Sequence, residues 1–214
     1  ASSLAWLGYQ GAGPRLALAA SVCNSGLIPG ELTMSVSPGT GFPIGDGVVC
    51  EIDPGRQTSN LLTSMFLHGS WMHLLGNMWF LWLFGNNIED SMTRPRYVAF
   101  YLLCGLAAAL AQVAANPQSE IPMVGASGAI SGVMGAYLLL YPRVRIQTPF
   151  VFIILLRGIP VPAWLVLILW FGLQVLAGYT TPVDTGGVAV WAHDGGFVAG
   201  VLLVKLFVDR TMYK

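Results

Sequence analysis

A serine in the tetrapeptide Gly125-Ala126-Ser127-Gly128 opens an apolar run that ends near Tyr141. A histidine, His193, opens another within Trp191-Ala192-His193-Asp194-Gly195-Gly196, and a third run begins with His73 and Asn77, four residues apart. A nucleophile, a base and two hydrogen-bonding side chains thus each stand at the head of a membrane-length segment. A free serine hydroxyl is a poor nucleophile at neutral pH, but a positioned imidazole can take its proton. His193 is the only histidine in the C-terminal half. At a helix start, unpaired backbone N–H groups and the helix dipole favour a developing negative charge. The flanking Gly125 and Gly128 leave room for a substrate carbonyl to approach the backbone. His73 and Asn77 share one helical face and both can donate hydrogen bonds. With the Ser127 backbone N–H they suit an oxyanion hole, in which one donor is typically worth about 2.7–4 kcal/mol. The chemistry indicated is peptide-bond hydrolysis inside a bilayer.

Each group also has a plainer role. Gly125, Gly128, Gly132 and Gly135 can form a close-packing face with Ser127 as interhelical glue. His193 can simply bond a neighbouring carbonyl, and His73 and Asn77 can bond another helix. Against this, ionisable residues within spans are functional-site candidates by default. His193, Gly196 and Gly200 also lie on one face, where small residues allow close packing on the glycine-rich helix bearing Ser127. A zinc site built from His68, His73 and His193 lacks the i, i+4 HExxH spacing and its Glu. No metal or other cofactor is therefore expected, and His68 is assigned to supporting the oxyanion site or water entry. Asp194 points about 100° around the helix from His193, a poor position for orienting the same imidazole. A carboxylate at mid-span costs about 2.5–3.5 kcal/mol on insertion scales, so Asp194 is expected to face a wet cavity or pair with a polar group on another span.

The elements that must position these groups follow from composition. Of 214 residues, 55% are hydrophobic and only 9% charged, with mean hydropathy +0.66. An ordinary soluble domain carries roughly a quarter charged residues, so the expected solvent is a lipid bilayer. Zero net charge argues against a nucleic-acid partner. Cys23, Cys50 and Cys104 match no disulfide framework or metal spacing. Spanning helices, which need about 20 mostly apolar residues, are expected near 71–91, 97–115, 124–141, 161–179 and 188–208. Residues 148–156 read as a re-entrant or interfacial lead, because Arg157, Gly158 and Pro160 interrupt them. Region 4–28, broken by Gly8, Gly11, Gly13, Pro14 and Arg15, reads as a sixth span shortened at its N-terminus; the chain opens at Ala1 without Met, as a trimmed terminus would. If the spans alternate, Arg94, Arg96, Arg143, Arg145, Arg157, Lys205, Arg210 and Lys214 share one side, which is cytoplasmic by the positive-inside rule. The opposite loops hold Glu31, Asp46, Glu51, Asp53, Glu120 and Asp184, with Arg56 as the main basic exception. Ser127, His193, His73 and Asn77 then all lie near the outer ends of their spans.

With that topology, the segments HGSWMHLLGNMWFLWLFGNNIED from His68, GASGAISGVMGAYLLLYPRVRI from Gly125 and AHDGGFVAG from Ala192 resemble the rhomboid family of intramembrane serine proteases. The similarity runs over roughly residues 26 to 208. It implies an all-α integral membrane protein, a six-helix bundle in one domain over 1–214. It further implies a Ser127–His193 dyad without a catalytic acid, and oxyanion stabilisation by His73, Asn77 and the Ser127 N–H. His68 matches the family's further histidine before the second span, and Gly125, Gly128 and Gly196 support the site. The sequence departs from the family in its short first span and in lacking a Trp-Arg pair between Gly30 and Thr63. It also departs in placing Asp194 where an apolar residue commonly follows the histidine. The function expected is a serine endopeptidase that cuts membrane-anchored proteins near the outer face, at locally unwound transmembrane segments. A bacterial inner membrane is the expected setting. The alternatives are an impaired relative that binds or escorts membrane helices, and a small transporter lined by Ser127, His193 and Asp194.

Overall fold

A computed structural model describes residues 14–45, 48–146, 160–180 and 189–209. The 4–13 part of the first expected span, the 148–156 lead and the loop at Asp184 lie outside the described residues. Helix α1 (Pro14–Ser25) leads into a short α2 (Pro29–Thr33), a hairpin of β1 (Gly41–Gly45) and β2 (Val48–Glu51), and α3 (Asn60–Thr63) with a 3-10 turn over Ser64–Phe66. Five longer helices follow: α4 (Trp71–Asp90), α5 (Arg94–Ala115), α6 (Ser127–Leu140), α7 (Ala163–Thr180) and α8 (Val190–Phe207). A two-residue pairing of β3 (Arg145–Ile146) with β4 (Val161–Pro162) ties the exit of α6 to the entry of α7.

Among the described residues, α5, α7 and α8 are long and apolar enough to cross a bilayer. Helix α4 has 20 residues but carries His73, Asn77, Asn86, Asn87, Glu89 and Asp90. Helix α6 is apolar and has only 14 residues. At 1.5 Å per residue it is about 21 Å long, against a hydrocarbon thickness of about 30 Å. The span expected at 124–141 is shorter because Gly125 has φ +125° and cannot continue a helix backward from Ser127. Its N–H bonds the Ser64 carbonyl at 2.9 Å instead.

Large apolar side chains face outward on the helices, and small ones line the helix contacts beside a few buried large residues such as Phe84 and Phe100. Trp71, Trp82, Leu202 and Leu206 are exposed, whereas Ala129, Val133, Ala136 and Ala163 are fully buried, as expected when lipid is the solvent. Helix α6 is the most enclosed and packs most closely on α8 and α5. A Cβ on Gly200 would collide with the Gly132 carbonyl, and one on Gly196 with the Gly128 carbonyl. The two backbones therefore touch directly.

The segment before α4 is a separate small lattice of bonds. Cys23 and Cys50 form a disulfide with Cα atoms 5.5 Å apart, which corrects the expectation of no disulfide. They are 27 positions apart in sequence, a spacing that fits no motif; the hairpin returning against the end of α1 brings them together. Glu31 is buried and accepts the Asp53 N–H at 2.7 Å. Burial raises its pKa, with that N–H pulling the other way. Asn60 donates to the Gly26 carbonyl at 2.9 Å, and Leu27 pairs with Met123. The segment thereby braces the strand-like stretch that delivers Gly125 and Ser127.

Candidate active site

Ser127 is the first residue of α6, so its own N–H has no intrahelical partner to bond. His193 lies in the first turn of α8, where Ala189 offers no side-chain cap. Gln112 of α5 supplies one, accepting the Ala192 N–H at 3.2 Å. The Gly128–Gly196 contact closes the gap between the two helices. Ser127 Oγ and His193 Nε2 are 2.8 Å apart.

On its other side, His193 Nδ1 is 3.2 Å from Gln174 Oε1 of α7. An amide oxygen can only accept, so this contact is a hydrogen bond when Nδ1 carries the proton, the tautomer that leaves the Nε2 lone pair for the Ser127 hydroxyl. The Trp170 ring lies against the imidazole, with centroids 5.9 Å apart and planes at 35°.

Helix α4 brings the donors. Ser70 caps it, its Oγ accepting the His73 N–H at 3.1 Å. A Cβ on Gly125 would stand 2.7 Å from His73 Nε2 and 3.6 Å from Asn77 Nδ2, so both donors converge on the residue two before the serine. Any side chain at 125 would displace the His73 ring. Asn77 is buried, and its Nδ2 has no hydrogen-bond partner among the described residues. A buried, unpaired donor costs roughly 1–3 kcal/mol; here it points to an acceptor that arrives with a ligand.

These groups line one cavity of about 520 Å³ that also takes in Met72, Phe80, Met134 and Trp170. His68 stands behind it, edge-on to His73 with centroids 5.1 Å apart. Burial, then repulsion from His73, lowers the His68 pKa, with a bond to the Phe66 backbone opposing. His68 is thus neutral at neutral pH. Asp194 neither joins this cavity nor finds a partner: both carboxylate oxygens are buried and unbonded among the described residues.

The structure therefore brings Ser127, His193, His73, Asn77 and Gly125 to one cavity, with Gly128 and Gly196 at the seam beneath and His68 behind. Sequence reasoning missed Gln174, Trp170, Gln112 and Ser64. A signal existed for Gln174, the one amide side chain in Ala163–Thr180. Polar side chains within spans point to function.

A mostly helical fold with three described helices able to cross a bilayer and a serine–histidine contact at a helix start narrows the class, and comparison with known proteins gives the family. Residues 55–210 match the model of the Rhomboid domain. The chain is 31% identical over 153 residues to RHOMBOID-like protein 5 of Arabidopsis thaliana, covering 72% of this chain and 45% of that one. It is 30% identical over 149 residues to Rhomboid protein 1, mitochondrial, of Saccharomyces cerevisiae (67% and 40%). It is 31% identical over 140 residues to Rhomboid protease GluP of Bacillus subtilis (65% and 24%). The chain belongs to the rhomboid family. It spans under half the length of these relatives.

Proposed function

We propose that the chain is an intramembrane serine endopeptidase acting through a Ser127–His193 dyad. The observation that carries this reading is the 2.8 Å contact between Ser127 Oγ and His193 Nε2, at a cavity into which an unpaired Asn77 donor opens. Ser127 attacks the scissile carbonyl while His193 takes its proton and returns it to the leaving amine. The developing oxyanion is met by Asn77 Nδ2, His73 Nε2 and the Ser127 N–H. Water entering the cavity then hydrolyses the acyl-enzyme. A helical peptide bond is shielded by its own turns, so the substrate is a membrane protein segment that unwinds locally at the cut.

The chain forms a single rhomboid-like domain over 1–214 with six spans. The clustering of its basic residues supports a cavity facing the extracytoplasmic side, and a bacterial inner membrane is the proposed setting. Because α6 is shorter than the bilayer is thick, Ser127 sits about 10 Å below the outer surface when the other end of α6 reaches the inner one. Purified protein in detergent should cleave a transmembrane reporter, and Ser127→Ala should abolish cleavage. Equal turnover by both proteins would sink the mechanism. The buried Asp194 beside the histidine favours a second reading, a binder or escort of membrane helices. Fluorophosphonate labelling that needs both Ser127 and His193 supports the enzyme, and its absence supports the binder.

A further inference from the structure

We propose that Gln174 is the positioning residue of the dyad, a neutral third member that holds the His193 imidazole in its working tautomer. This inference rests on the protease reading above. Three observations carry it. Gln174 Oε1 lies 3.2 Å from His193 Nδ1, on the ring edge opposite Ser127. Trp170, one turn earlier on the same face of α7, lies against the same ring. Gln174 is also the one amide in an otherwise apolar helix.

The chemistry explains the residue type. A neutral imidazole left to itself divides between two tautomers, and only the one with Nδ1 protonated can accept the Ser127 proton through Nε2. An acceptor at Nδ1 selects that tautomer. In soluble triads a buried carboxylate holds this position and also stabilises the imidazolium. Within a span a second buried charge is costly, whereas an amide oxygen orients the ring without one.

Among the described residues, no charged group competes for the role. Asp194 points about 100° around α8 from His193 and makes no bond among the described residues. His73, across the cavity on α4, is the other titratable side chain lining the cavity. Helices α6 and α7 carry no charged residue, and α5 carries only Arg94 and Arg96 at its far end.

The test uses the full chain in detergent. Gln174→Met keeps the side-chain length and removes the acceptor. It should lower kcat about tenfold, the worth of one net hydrogen bond, with KM unchanged. The chain has three histidines, so ring 15N resonances can be assigned by single replacement. His193 should show a protonated Nδ1 in the wild type and lose that bias in Gln174→Met. Gln174→Glu, which keeps an acceptor oxygen, should restore the tautomer and most of kcat. A Met variant with wild-type kcat, an unchanged tautomer in the Met variant, or failure of Glu to rescue would each overturn the inference. If Ser127→Ala also cleaves the reporter, the protease reading fails by itself, and the tautomer measurement still decides whether Gln174 positions the ring.

Discussion

The α6–α8 seam and helix α7 both touch His193, yet they are held in opposite ways. At the seam, glycines bring two backbones together: Gly128 meets Gly196, Gly132 meets Gly200, and Gly135 meets the Phe197 carbonyl. Nine of the 14 residues of α6, Ala129 to Tyr137, are buried. Helix α7 buries only Ala163 and Leu167 and turns Ile168, Leu173 and Leu176 outward, each more than half exposed. Ser127 and His193 therefore meet across a backbone contact with no slack, while Gln174 arrives on a helix with an exposed apolar face. Backbone contact sets a distance to a few tenths of an ångström; a side-chain hydrogen bond from a peripheral helix sets only an orientation.

The largest effect should come from breaking the seam. Gly200→Val drives a branched side chain into the Gly132 carbonyl, and a backbone cannot yield as a side chain does. We expect a loss of about 3 kcal/mol, seen as a lower unfolding midpoint in mixed micelles, together with loss of reporter cleavage. A variant with wild-type stability would show the seam to be pliable.

A smaller effect of opposite sign is expected one residue past His193. Asp194 keeps both carboxylate oxygens buried without a partner among the described residues. Replacing a buried, uncompensated charge with an apolar side chain is stabilising, so Asp194→Leu should raise stability by about 1–3 kcal/mol with cleavage retained. Destabilisation would mean that the carboxylate has a partner in the bilayer.

The smallest effect belongs to the outer face of α7. Leu173 is 55% exposed, and Leu173→Ala should change stability by no more than about 0.5 kcal/mol. Its unfolding curve beside that of Gly200→Val measures the contrast directly. Equal losses would mean that α7 is anchored as firmly as the seam.

Much of this was legible beforehand, because hydrophobic length is a property of the chain alone. The expected 97–115 and 188–208 spans correspond to Arg94–Ala115 and Val190–Phe207, both long and apolar enough to cross a bilayer, and the expected 71–91 segment is a helix over Trp71–Asp90. Hydropathy does not register where a helix begins, so the expected 124–141 span became Ser127–Leu140, its start set by the bend at Gly125. The Cys23–Cys50 disulfide was equally hidden, since the hairpin that closes it depends on pairing between β1 and β2. Gln174 stood out only as a polar residue in an apolar run; its partner lies 19 residues away on another helix.

Residue types and local spacing determined what this protein could do. A serine beside glycines, a histidine on a small-residue face, and His73 and Asn77 one turn apart are set by covalent order and helical period, which need no tertiary contact. Only the packed structure decided which of these groups meet. It joined Ser127 to His193 through the Gly128–Gly196 contact, aimed the His73 and Asn77 donors at Gly125, and gave the imidazole an amide where Asp194 was the nearer polar neighbour in sequence. The reason is geometric. Adjacency along a helix turns neighbours about 100° apart, whereas close packing of separate helices can face two side chains at hydrogen-bond distance.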